Sequence, residues 1–218
     1  MKEAPQAFRI EPRWPVILTV LAVGFLLTAL PGRLRVLPVW GAWVIAIGLI
    51  VPIAAIPLTT AKARWMRIER IVTLLFFVIS GGGTLVMLGR LLEAMVYRSG
   101  EINGYQLLVS SIATWVINVL TFSLLYWQID RGGPEARAKH TRPDWLFPQD
   151  GAHEDVPPDW RPTFVDYLYL SYSTATAFST TDAVPLTARA KMLMMIESAI
   201  SLVTIVAVAS RAINILGT

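Results

Sequence analysis

The chain has 218 residues, of which 55% are hydrophobic and only 16% charged, and its mean hydropathy is +0.55. An ordinary soluble domain carries about 25% charge, so this composition excludes disorder and points to a single membrane domain. The absence of cysteine excludes a disulfide framework, thiolate metal sites and thiol catalysis, and a net charge of +4 from basic residues beside apolar runs suits lipid headgroups rather than nucleic acid.

A membrane-crossing helix needs about 20 apolar residues, and the pattern predicts five such spans. The first runs from Trp14 to Leu30, between Lys2, Arg9 and Arg13 on one side and Pro31-Gly32 on the other; without a small-residue cleavage pattern it reads as an uncleaved helix. The second, Leu37 to Leu58, contains Pro52 and Pro57, which remove backbone donors and should kink or end it. Arg64, Arg67 and Arg70 precede the third and read as headgroup anchors. The third span, Ile68 to Met95, is interrupted by Gly81, Gly82 and Gly83, which favour close approach of a neighbouring helix, and Arg90 and Glu93 lie where they can neutralise each other. The fourth, Tyr105 to Ile129, carries Asn118 at mid-depth, where an amide needs a partner from another helix.

The one long polar segment follows, residues 130–162, with prolines at 134, 143, 148, 157, 158 and 162. It reads as an ordered extramembrane loop that Trp145, Phe147 and Trp160 pin to the membrane surface. His140 and His153 stand there among acidic residues, but without metal-ligand spacing, so no metal site or cofactor is expected.

Thr163-Phe-Val-Asp166 is a capping box and predicts a helix start. The helix should continue to about Thr176, too short to cross a hydrocarbon core of about 30 Å. A stretch dense in hydroxyls leads to Pro185, and the fifth span, Ala188 to Leu216, follows. Half-helix, polar stretch and full helix are the layout of a re-entrant loop, and a helix lying in the membrane interface is the alternative.

The run Thr174-Ala-Thr176-Ala-Phe-Ser179-Thr180-Thr181-Asp182-Ala-Val-Pro185-Leu-Thr187 resembles the filter region of the tetrameric potassium-channel family in its threonines, its aspartate and its Pro-x-Thr ending. The segment from Asp166 onward also resembles the C-terminal part of a large uncharacterised bacterial family of multi-pass membrane proteins. The channel resemblance implies a homo-oligomer, by analogy a tetramer, with a pore mouth of Thr174, Thr176, Ser179, Thr180, Thr181 and Asp182. A potassium filter needs two glycines, and residues 177–181 contain none, so potassium selectivity is not expected.

On the fifth span Glu197, Ser201, Thr204 and Arg211 fall within about 40° of one direction on the helix. A carboxylate at that depth must face protein, a cavity or a partner, so Glu197, Ser201 and Thr204 are the candidate pore wall; the alternative is a structural pair between Glu197 and a basic residue. Alternating the 19 basic residues across five spans from an interior N-terminus places 14 inside, which puts the C-terminus outside, whereas a channel pore loop followed by its inner helix would end inside.

The expected fold is thus an all-α polytopic protein of the cell membrane with five transmembrane helices plus a re-entrant half-helix and loop. It divides into a four-helix region 1–129, the polar loop 130–162 and a channel-like end 163–218. The leading function is an ion-channel-like pore subunit, and the competing one a non-conducting membrane scaffold or accessory protein. Paired aspartates, His-Glu-x-x-His and Ser-Lys or Ser-His constellations are missing, so no enzyme is expected.

Overall fold

The computed structural model describes residues 13–32, 35, 38–55, 62–97, 104–134, 136–139, 142–152, 154–157, 160–176 and 182–216. Among the described residues six α-helices carry the fold: α1 (Trp14–Ala29), α2 (Val39–Ala55), α3 (Lys62–Tyr97), α4 (Gly104–Ile129), α5 (Phe164–Thr176) and α6 (Ala188–Leu216). Two-residue strands β1 (Trp145–Leu146) and β2 (Val184–Pro185) pair antiparallel, Trp145 opposite Pro185.

Among the described residues three helices have the length and apolar composition to cross a membrane, over Arg67–Arg90, Leu108–Gly132 and Ala188–Ala209. α1 and α2 are apolar but only 16 and 17 residues long. At 1.5 Å per residue they reach about 24 to 26 Å, short of a hydrocarbon core of about 30 Å. α1 stops before Pro31-Gly32, and α2 ends three residues after Pro52, which lies inside it. This corrects the expected architecture of five spans plus a re-entrant half-helix: the fold is all-α, with six α-helices among the described residues, of which three are of spanning length. The protein is membrane-embedded and multi-pass, and its outward faces suit lipid, with Phe25 62%, Trp40 70% and Val78 66% exposed.

α4 is the central element, packed against α1, α3, α5 and α6. α3 continues unbroken through Gly81, Gly82 and Gly83. A Cβ added at Gly82 or Gly83 would meet nothing within 4 Å, and at Gly81 it would meet only Phe77 of the same helix, so the glycines do not admit a close neighbour as expected. α1 to α4 enclose an apolar cavity of 30 Å³, lined by residues such as Val20, Phe76, Met87 and Ile117, with room for about two waters. At one end of this group Arg13 pairs with the buried Glu69 at 2.6 Å; at the other Arg90 donates to the Arg35 carbonyl at 3.0 Å. Arg67 and Arg70 are exposed, as headgroup anchors would be.

The polar loop is folded inward rather than spread on the membrane surface. Trp145 and Phe147 are buried, Trp145 ring to ring with Tyr126 at 4.7 Å and Phe147 edge-on to Tyr167 at 5.4 Å. With Phe122, Trp127 and Phe164 they form an aromatic core where α4, α5 and the loop meet. α5 is wedged against α4 and α6. Half of the expected capping box forms: the Asp166 carboxylate accepts from the Thr163 backbone N at 2.7 Å, but the Thr163 hydroxyl donates to that carboxylate at 2.9 Å instead of accepting from the helix. Thr187 caps α6, accepting from the Ala190 backbone N at 3.3 Å.

Candidate functional site

The polar residues of the helical bundle gather on the facing sides of α4, α5 and α6. Tyr126 in the last turn of α4 and Asp130 just past its end lie four residues apart, and Tyr167 and Ser171 lie one turn apart on α5, so the two elements meet in two polar layers.

The inner layer centres on Glu197 of α6, which is 0% exposed. The Tyr126 hydroxyl donates to Oε2 at 2.5 Å, and the Ser171 hydroxyl is hydrogen-bonded to Oε1. Ser171 Oγ also lies 2.7 Å from the Val119 carbonyl of α4. Asn118 donates to Ser201 Oγ at 3.0 Å and to the Glu197 backbone carbonyl at 3.3 Å, so the amide joins α4 to α6 as its depth required. Ser198 donates to the Thr174 carbonyl at 3.1 Å and joins α6 to α5.

The outer layer centres on Asp130, which is also fully buried. Just past the end of α4 come three residues with positive φ, Arg131 (53°), Gly132 (80°) and Gly133 (103°), and this turn folds the loop back over the helix end. Asp130 Oδ1 accepts from the backbone N of Asp144 at 2.7 Å, and Oδ2 accepts from the Tyr167 hydroxyl at 2.5 Å. Arg137 donates to the Trp127 carbonyl at 2.6 Å and to Tyr167 Oη at 3.2 Å, with its guanidinium 4.9 Å from the Tyr167 ring centre. Burial pushes the Tyr167 hydroxyl well above the usual tyrosine range; the positive charge of Arg137 opposes this, and Asp130 adds to it by charge and hydrogen bond.

Ion pairs fasten the rim. Arg131 holds both oxygens of Asp150, at 2.8 and 2.6 Å, and its Nε lies 3.4 Å from Asp130 Oδ2. Asp144 accepts from Thr187 Oγ1 and from Arg189 Nε, each at 2.6 Å, and its second oxygen pairs with Arg189 Nη2.

The residues proposed for a pore are distributed differently from that expectation. Glu197, Ser201 and Thr204 are buried inside one copy. Thr204 donates to the Ile200 carbonyl of its own helix at 2.7 Å. Thr174 is buried and donates to the Leu170 carbonyl at 2.8 Å, whereas Thr176 is exposed and donates to the Tyr172 carbonyl at 2.7 Å. Asp182 is exposed and accepts from Tyr169 at 3.2 Å. Ser179, Thr180 and Thr181, like His140 and His153, lie outside the described residues.

These positions correct the pore-subunit reading. With three helices of spanning length among the described residues and the supposed wall sealed against α4 and α5, the described residues do not form an ion-channel-like pore or a pore loop. Nor does Glu197 pair with a basic residue: among the described residues its side-chain partners are the Tyr126 and Ser171 hydroxyls. Asp130, Arg137, Asp144, Ser171 and Tyr167 were not anticipated. The available signal was Asp130 directly before Arg-Gly-Gly at the end of an apolar run, a charge at a helix terminus followed by residues that permit a tight turn. No known protein family, curated protein or solved structure matches the chain.

Proposed function

We propose that the chain is a non-conducting, multi-pass scaffold or accessory protein of the cell membrane. One observation carries this reading. The hydrogen bonds of Glu197 and Ser201 close on Asn118, Tyr126 and Ser171 of the same copy, so among the described residues this face of α6 is not a hydrophilic wall for copies to share around an axis. The outward faces of α3 and α6 are apolar, with Leu75, Val78, Met195 and Val206 exposed, and such surfaces meet lipid tails or the apolar side of another membrane helix.

The test is flux. The purified full chain, reconstituted into liposomes holding an ion-sensitive dye, should give no more leak than empty vesicles over a range of imposed potentials. Glu197→Gln and Asp182→Asn should leave that baseline unchanged. Flux that either substitution abolishes would overturn the reading.

A further inference from the structure

We infer that Glu197 is a proton-binding site: it is held between α4, α5 and α6 as a neutral carboxylic acid, and its own hydrogen forms the bond that ties α6 to Ser171 of α5. The inference rests on counting hydrogens and does not depend on the scaffold reading.

A serine hydroxyl has one hydrogen to donate. Ser171 Oγ is in hydrogen-bonding contact with two oxygens, the Val119 carbonyl at 2.7 Å and Glu197 Oε1. The carbonyl has no hydrogen to give. If Glu197 were ionised, Ser171 could serve only one of the two, and the other close oxygen pair would meet lone pair to lone pair. The Tyr126 hydrogen is already directed to Oε2, at 2.5 Å. A proton on Oε1 removes the conflict: Glu197 donates to Ser171, Ser171 to Val119 and Tyr126 to Glu197, so every close oxygen pair contains one hydrogen.

The surroundings agree. Glu197 is 0% exposed, and among the described residues no basic side chain forms an ion pair with it. From α4 the facing polar groups are the neutral Asn118 amide and the titratable Tyr126. From α5 the group is Ser171; Tyr167, one turn away, is bonded to Asp130. α3 is uncharged between Arg70 and Arg90, and β2 (Val184–Pro185) has no ionisable side chain. On α6 itself Arg189 is bound to Asp144. A carboxylate formed here would be desolvated and without a counter-charge, so loss of the proton would break the tie between α5 and α6.

Infrared difference spectroscopy of the full chain in lipid tests this. Wild type minus Glu197→Gln at neutral pH should show the C=O stretching band of a protonated carboxylic acid, moving to lower frequency in deuterated water. Ser171→Ala, which removes the acceptor, should move that band to higher frequency, a readout that does not require the glutamine variant to fold. Asp182→Asn, at an exposed position, should leave it in place. Because glutamine keeps a donor for Ser171 and an acceptor for Tyr126, Glu197→Gln should also unfold at the wild-type midpoint. A carboxylate band in place of the acid band in the difference spectrum, or an acid band that Ser171→Ala does not move, would overturn the inference.

Discussion

Tyr167 donates its hydroxyl hydrogen to Asp130 across 2.5 Å, and the same oxygen receives a bond from Arg137 at 3.2 Å. One phenol thus joins the C-terminal end of α4, the first turns of α5 and the loop between them. All three partners are buried, so water cannot take the place of a lost bond. Tyr167→Phe keeps the ring against Phe147 and removes only the hydroxyl. It should destabilise the fold by about 2 kcal/mol, the cost of stranding a buried hydrogen-bonding partner. The midpoint of denaturant unfolding in detergent micelles measures it; an unchanged midpoint would mean that the Asp144 backbone N–H and the Arg131 guanidinium, 3.4 Å from Oδ2, satisfy Asp130 without the phenol.

The same hydroxyl predicts a pH dependence. Burial raises the Tyr167 pKa well above the ordinary tyrosine value, so the folded state holds this proton where the unfolded chain has released it. Its contribution is fully present below the unfolded value of about 10 and is lost as pH rises beyond it, with a slope of up to about 1.4 kcal/mol per pH unit. Stability measured from pH 9 upward should therefore fall less steeply in Tyr167→Phe than in wild type. Parallel slopes would show that Tyr167 does not release its proton differently in the two states.

The sequence carried the helices more faithfully than the site, for a physical reason. Apolar runs and terminal signals act locally, so α3, α4, α5 and α6 begin and end within a few residues or a turn or two of where the pattern placed them, and Asn118 found the interhelical partner that its depth demanded. The requirement that Glu197 turn away from lipid, toward protein, a cavity or a partner, was equally legible, because the cost of exposing a carboxylate to lipid does not depend on topology. Its partners were not legible, since Tyr126, Ser171 and Glu197 are brought together by packing across many intervening residues. Glu197, Ser201 and Thr204 share a face whether that face lines water or another helix, and the pore reading failed at that ambiguity. Trp145 and Phe147 misled similarly: an aromatic residue in a polar loop can cover a membrane surface or plug a helix junction, and only tertiary contact separates the two.

Glycines allow a contrast. Gly133 has φ +103°, and an added Cβ would approach the Gln128 carbonyl at 3.0 Å. Gly133→Ala should cost about 2 kcal/mol for a backbone conformation that side chains disfavour. Gly82, inside α3 with nothing near its missing Cβ, should behave in the opposite way: Gly82→Ala should stabilise by up to about 1 kcal/mol, because alanine restricts the unfolded chain and favours the helix. Unfolding midpoints of the two variants in the same detergent make the comparison. A loss at Gly82 would reveal a neighbour seated on the glycine stripe.

Asp144 and Arg189 bind each other from unequal positions, the aspartate side chain 1% exposed and the arginine 57%. Removing one is therefore not equivalent to removing the other. In Asp144→Ala the guanidinium turns to water and Thr187 still caps α6, so the loss is chiefly that of the Thr187 and Arg189 hydrogen bonds. In Arg189→Ala the carboxylate stays buried with Thr187 as its remaining side-chain donor, and an uncompensated buried charge is the more costly defect. Arg189→Ala should be the more destabilising single change, and the double variant should recover part of its loss, because it removes the stranded charge as well. A thermodynamic cycle over the four proteins reads this as a coupling that favours the pair when both residues are present. If Asp144→Ala proves the costlier change, the carboxylate acts mainly through Thr187, as part of the cap that starts α6, and the arginine is a solvated counter-ion.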